Sequence, residues 1–368
     1  MKVLTLLLSL TFMAMFAGGS SDGLKGTWSS EMRKHPDEIQ LSLRYRKNWN
    51  SSFGISVKEF KGLVTKNLSG ATVDQEFSLE REAGTIAFTG RFIDGEGSGH
   101  FTFTRSEEYV KGLKSMGYAE PDIEDQFSLA IHGVGLGYLK DLASIGYNTL
   151  EYDDIISMAI HEVTVDYIKG LTKLGYSKIP VDDLVSMRIH DVDLEFIEGL
   201  KKLGYENLPP DDLVSLRIHG ATVAYVAELK SLGFDHLSGD DITSMLIHDV
   251  STDFIKSMRS YGYKKLSPDD LVSMSIHDVD EEFVEAIVPL GYETVPPDDL
   301  VSMRIHMVSP EYIKGLQELG LKDLSVDDLV SLKIHGVSLS WIKELKESGY
   351  KRLTADKLVN MRIHGSDD

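Results

Sequence analysis

Three sets of residues in this sequence combine reactive side-chain types with a fixed spacing. The first is Asp182, Ser186 and His190, spaced i, i+4, i+8, and the same types recur along the chain. Carboxylate, hydroxyl and imidazole are the parts of a hydrolase triad, but a triad holds its imidazole between the other two groups. Eight residues of helix at 1.5 Å per residue separate this Asp from this His by about 12 Å. That spacing suits the two ends of one helix dipole instead, with Asp at the positive end and His at the negative end.

The histidines form the second set: His132, His161, His190, His219, His248, His277, His306, His335 and His364 follow one another at intervals of 29 residues. A zinc site needs two imidazoles within about 2.1 Å of one metal, whereas equivalent positions on stacked helical layers lie about 9–10 Å apart. No HExxH is present, because His161-Glu162 is followed by Val163, Thr164 and Val165. The column is expected to terminate helices through hydrogen bonds, with no metal and no cofactor.

The third set is the turn after each histidine, as in His219-Gly220-Ala221-Thr222 and His335-Gly336-Val337-Ser338. A turn between two short helices can hold phosphate on its backbone N–H groups. Here the position after histidine is also Glu162, Asp191, Asp249, Asp278 or Met307, and acidic side chains repel phosphate. Paired acids such as Asp298-Asp299 lack the D-x-D-x-D-G loop of a calcium site and read as helix caps. Among other carboxylates, Glu80, Glu82, Asp94 and Glu96 alternate as the solvated face of a hairpin would. They give no ground for glycosidase chemistry. Trp28 and Trp49 read as packing residues, and His35 and His100 have no evident partner.

What must position all of these is a repeat. Nine copies at one period between 20 and 50 residues mean a solenoid or array. Residues 249–277 show one copy, with Ser251 as N-cap, Phe254, Ile255, Met258 and Tyr261 at helical spacing, and Gly262 as the stop. That glycine recurs as Gly117, Gly146, Gly175, Gly204, Gly233, Gly262, Gly291, Gly320 and Gly349. A second, shorter helix is expected from Ser267, with Pro268 at its first position and Asp270 completing a capping box. Pro209-Pro210 and Pro296-Pro297 keep the proline but lose the hydroxyl cap. Recurrent Tyr167, Leu171, Leu174, Tyr176, Leu184 and Ile189 are assigned to the core between stacked copies. Ser348, Lys357 and Asn360 make the last copy more polar, and a monomer is expected.

Ahead of the repeats, residues 24–103 alternate with period two, through Ile39, Leu41, Leu43 and Tyr45, then Phe77 and Leu79, Ile86 and Phe88, and Phe101 and Phe103. A small antiparallel β domain follows, with a hairpin at Asp94-Gly95-Glu96-Gly97-Ser98-Gly99. The fold class is therefore α+β, a β domain over 24–103 and an α-solenoid of about nine helical hairpins over 104–368. Residues 1–19, with Lys2, an apolar run and small residues, read as a secretory signal peptide, so the expected location is periplasmic or extracellular. The chain has no cysteine and so relies on packing alone for stability in an oxidising compartment.

Charge is unevenly placed. Residues 1–103 hold 12 Lys+Arg and 11 Asp+Glu, and the remaining 265 hold 26 against 47, a balance of −21. Nucleic acid and anionic membrane both need a basic surface, so both are excluded as partners and a basic protein is favoured.

Glu82-Ala83-Gly84-Thr85 and Gly97-Ser98-Gly99-His100-Phe101-Thr102-Phe103, followed by units of the form L-G-Y-x-x-L-x-x-D-D-L-V-S-M-R-I-H-G-V, resemble one known arrangement. It is that of exported bacterial proteins, similar to the extracytoplasmic tails of some penicillin-receptor-type membrane zinc metallopeptidases. The resemblance spans about residues 25–368, and the peptidase half is absent. It implies an envelope-side recognition or scaffold part with no catalytic role. The expected function is thus a protein–protein interaction scaffold, the alternative being an envelope hydrolase or glycan-acting enzyme built on the β domain. Partner contacts are assigned to the variable residues after the recurrent Tyr, namely Lys178, Glu206, Asn207, Asp235, His236, Lys264, Lys265, Glu293, Lys322 and Asp323.

Overall fold

The computed structural model describes residues 23–32, 37–46, 49–64 and 72–365. The expected signal peptide and His35 lie outside them. Seven strands come first: β1 (Leu24–Met32), β2 (Glu38–Tyr45), β3 (Trp49–Ser56), β4 (Phe60–Lys61), β5 (Thr72–Arg81), β6 (Gly84–Ile93) and β7 (Glu96–Arg105). They form one antiparallel sheet in the order β3-β2-β1-β7-β6-β5-β4, so the first strand lies beside the last.

One face of the sheet is apolar. Trp28 is 2 % exposed, and its indole N–H donates to the Thr89 carbonyl at 3.1 Å. Phe77, Phe88 and Phe92 surround the ring with centroids 5.3–6.1 Å away. A Cβ on Gly90 or Gly97 would press into that indole at 2.6–2.7 Å, so the glycines hold open the space the tryptophan fills. The expected hairpin joins β6 to β7, but its turn is shorter than residues 94–99. Only Asp94 and Gly95, both at positive φ, make the turn, while Gly97 and Gly99 lie inside β7 and pair across to Ser30 and Trp28.

Helices follow: α1 (Glu107–Ser115), α2 (Ile123–Ile131), α3 (Leu136–Ser144), α4 (Tyr152–Ile160), α5 (Val165–Lys173), α6 (Val181–Ile189), α7 (Leu194–Lys202), α8 (Pro210–Ile218) and α9 (Val223–Ser231). The series continues with α10 (Gly239–Ile247), α11 (Thr252–Ser260), α12 (Pro268–Ile276), α13 (Glu281–Ile287), α14 (Pro297–Ile305), α15 (Pro310–Glu318), α16 (Val326–Ile334), α17 (Leu339–Glu347) and α18 (Ala355–His364). Both helices of a repeat have nine residues almost throughout, so the second is not the shorter one. The exceptions are α18, with ten residues, and α13, with seven, where Pro289 turns the last residues into a 3-10 turn at Val288–Leu290.

The chain divides into two compact bodies, residues 1–169 and 170–368. The sheet shares its body and its core with the first repeats, because Phe127 of α2 stacks on Phe101 at 5.3 Å and lies 5.1 Å from Phe103. Gln126 shows what that junction demands. It stands where later repeats carry Leu184 or Leu213, is fully buried, and donates to the Ala83 and Ser106 carbonyls at 2.7 and 3.0 Å. Its own oxygen accepts from Arg105 at 2.9 Å. A leucine there would lose all three of these bonds, leaving the two carbonyls only the Ser106 and Val110 amides as donors, at roughly 1 kcal/mol per bond lost.

In the second body, first helices stack on first helices and second on second. Leu184, Leu213, Ile242, Leu271, Leu300 and Leu329 are all 0–1 % exposed and fill the seam. Gly170, Gly199 and Gly315 each face the first residue of the next first helix, Leu194, Val223 and Leu339, at a distance that leaves no room for a Cβ. Where glycine is replaced by Glu228, the facing residue becomes Thr252, whose hydroxyl donates to the carboxylate at 2.8 Å. Hydrogen bonds tie neighbours together as well. Lys201, Lys230 and Gln317 donate to the Leu174, Leu203 and Leu290 carbonyls of the preceding repeat at 2.6–2.8 Å, and Arg259 and Lys346 reach Leu232 and Leu319 in the same way.

Candidate partner-binding surface

Each residue of the histidine column from His132 to His335 is the C-cap of a second helix, and His364 ends α18. The ring of His335 lies with Nδ1 2.8 Å from the Ser331 carbonyl one turn back, a helix-terminating bond at this one member of the column. In α6 Ser186 accepts the backbone amide of His190 at 3.1 Å through its own carbonyl, while Asp182 sits exposed in the first turn. The three types are thus spread along the helix. Among the described residues no group of three or more His, Asp or Glu is placed to hold a metal ion.

The recurrent glycines all take left-handed φ, from 81° to 102°. They close Schellman turns, as where Tyr263 N–H donates to Met258 and Gly262 N–H to Arg259, both at 3.1 Å. The second helix closes in the same way from α2 to α16, with the residue after His at φ 54–78°. Glu162 and Met307 adopt this conformation despite a cost of about 1–2 kcal/mol. In the Met307 turn Val308 N–H donates to Met303 at 2.8 Å with both side chains buried, and Met307 points outward, 77 % exposed. Two backbone bonds and an apolar contact offset the strain.

All ten residues assigned to partner contact, Lys178, Glu206, Asn207, Asp235, His236, Lys264, Lys265, Glu293, Lys322 and Asp323, are exposed. Lys178 and Asp323 take positive φ within their linkers. Acidic groups act on the tyrosines beneath these linkers. The Tyr292 phenol is pushed up to about 12, first by burial and then by Asp328 and Asp323.

Ile189 is not a core residue. It is 50 % exposed, and Ile218, Ile247, Ile276, Ile305, Ile334 and Ile363 are 49–58 % exposed at the same place in every following repeat. In the first body Ile160 is likewise open, while Ile131 is buried at 3 % against the sheet core. Leu174 and Tyr176 are half-buried, and Tyr167, Leu171 and Leu184 are buried as expected. Seven residues before each isoleucine, on the same side of the helix, stands an exposed acid: Asp182, Asp211, Asp240, Asp269, Asp298, Asp327 or Asp356. Among the described residues none of these seven forms an ion pair. The neighbouring bases are turned inward. Arg217 and Arg304 lie 5.0 Å over the rings of Phe196 and Phe283, and Arg217 also donates to the Asp191 carbonyl at 3.0 Å. Burial raises the Asp212 carboxyl above its ordinary value, and the neighbouring Asp240 and Asp211 charges add to the shift.

The sheet offers a different surface. A polar cleft of about 820 Å³ is lined by Glu31, Gln40, Ser42, Ser52, Arg91 and Glu96, among others. Glu31 and Glu96 are directly paired across β1 and β7, a juxtaposition that depends on two strands 65 residues apart becoming neighbours. Of the acids singled out in the sequence, Glu80 is paired with Lys61 and Glu82 accepts the Leu136 amide at 3.0 Å. No protein-family model matches the chain, and no curated protein matches it.

Proposed function

We propose that the protein is an exported, non-catalytic scaffold that binds another protein along its helical repeats. One observation carries the reading: a residue kept as isoleucine in repeat after repeat is left about half exposed each time. Scattered surface apolar residues need no explanation, but a contiguous apolar row rimmed by polar groups is the mark of an interaction surface. Solenoids bind along one extended surface of this kind. The leader-like residues 1–19 and the resemblance to extracytoplasmic tails support placement outside the cytoplasm, and the −21 balance supports a basic partner.

Capture of a partner from an envelope extract by the mature chain tests this. Charge reversal at Lys178, Glu206, Lys264 and Glu293 together is expected to weaken capture with an unchanged melting temperature. Capture that survives deletion of residues 133–368 would make the repeats a spacer and defeat the reading. A second reading, a glycan-acting hydrolase, draws on the Glu31–Glu96 pair in the sheet cleft. Its test is a hydrolase screen in which Glu96→Gln abolishes any turnover found.

A further inference from the structure

Within residues 170–368 the isoleucine row is continuous: Ile189, Ile218, Ile247, Ile276, Ile305 and Ile334 stand on six successive second helices, each 49–58 % exposed. Beside them runs a parallel row of aspartates, one per helix and none ion-paired among the described residues. The basic residues that precede the isoleucines are spent on internal contacts, with Arg217, Arg304 and Lys333 lying 4.7–5.0 Å over aromatic rings. The exposed face is therefore apolar and negative at once. Another copy of this chain would bring like charges together there, and an anionic lipid surface would be repelled.

The spacing adds a second constraint. Stacked helices are separated by about 9–10 Å. An extended polyproline-like chain rises about 3.1 Å per residue with three residues per turn, so one face recurs every ~9.3 Å. The two periods match. We propose that this ridge seats an extended cationic polypeptide, one apolar side chain at every third residue falling between isoleucines of adjacent helices and the intervening Lys or Arg residues meeting the aspartate row. This rests on the scaffold reading and names the chemistry of the partner segment.

The test uses the full mature chain and a synthetic peptide of repeated Lys-Lys-Ile triplets, roughly 18 residues long, which would span about six layers. A control peptide has the same composition with the isoleucines grouped at one end. Fluorescence anisotropy is expected to give a Kd for the periodic peptide at least about tenfold lower than for the control. Combined Ile218→Ser, Ile247→Ser and Ile276→Ser substitutions are expected to raise that Kd by about tenfold or more. The corresponding Ile→Leu variant should restore binding. Combined Asp211→Asn, Asp240→Asn and Asp269→Asn changes should weaken binding at low salt and flatten its salt dependence. The aspartates sit in the first turns of their helices, where a carboxylate stabilises the dipole, so circular dichroism should stay unchanged and binding is compared well below each variant's melting temperature.

Equal affinity for the two peptides, or binding unaffected by the serine changes, would overturn the proposal. So would self-association abolished by the serine changes, or adsorption to anionic vesicles. If a natural partner is captured undiminished by the serine variant, the scaffold reading stands and the ridge is not its seat.

Discussion

The sheet body and the repeat body bury apolar residues by opposite rules. Around the sheet, the core is built from unlike, large side chains contributed by distant parts of the chain: Trp28 meets Phe77 and Phe88, Phe88 meets Phe101, and Phe101 meets Phe127. In residues 170–368 the core is a recurring set made mostly of Leu, Ile, Val and Met, and each helix packs on its counterparts in the adjacent repeats. The contrast teaches where each body is fragile. A core of unlike parts has no substitute for a lost member, whereas a core of copies tolerates loss of a whole copy but not of part of one.

The largest test of that contrast is a pair of deletions. Removing residues 191–248, two complete repeats, should leave a shorter chain with a cooperative thermal transition. Removing residues 191–233, which cuts inside a repeat, should abolish cooperativity; equal unfolding of both would end the nearest-neighbour account. Next in size, Trp28→Ala should cost about 3–5 kcal/mol in denaturant unfolding, because it empties a large cavity that glycines were placed to leave open. Smaller, Gly315→Ala should cost about 1–3 kcal/mol by overpacking against Leu339. Much of that loss should return in the double variant with Leu339→Ala, which a mutant cycle would measure. If the loss stays additive, the stacking register described above is wrong.

The smallest effects separate two histidines of the column. His335→Ala should cost about 1 kcal/mol, one hydrogen bond's worth, in urea unfolding. His132 is packed 6.1 Å from the Phe53 ring, and burial holds its imidazole below the ordinary histidine value. A depressed folded value means the neutral form is the one the fold favours. Its contribution is present above the unfolded value of about 6.5 and is lost as pH falls through the folded value. Stability curves between pH 7 and pH 5 should therefore flatten in His132→Gln.

Much of the fold was legible because the repeat shows its histidine and its glycine stop nine times and its other signals several times. The glycine stops, the Ser267–Asp270 capping box and the prolines at helix starts are local chemistry, and all three stand where the spacing put them. The isoleucine ridge was misread for an instructive reason. Recurrence and apolar character are shared by core residues and by a repeated surface, and only the helix orientation tells Leu184 from Ile189. Equally hidden were Gln126 and the Glu31–Glu96 pair, since each depends on which strand ends lie nearby and no local pattern encodes that. The role of Gly90 and Gly97 follows from Trp28 lying across them, which again needs the pairing of β1 with β7.

The bonds from Lys201, Lys230 and Gln317 all run backward, from a side chain to a carbonyl 27 residues earlier. A helix end in this array is thus finished by residues the ribosome has not yet made when the helix itself emerges. At 5–20 residues per second the delay is roughly 1–5 s. Through synthesis the growing tip always carries one helix whose last carbonyls face water, and the array matures one repeat behind the point of elongation.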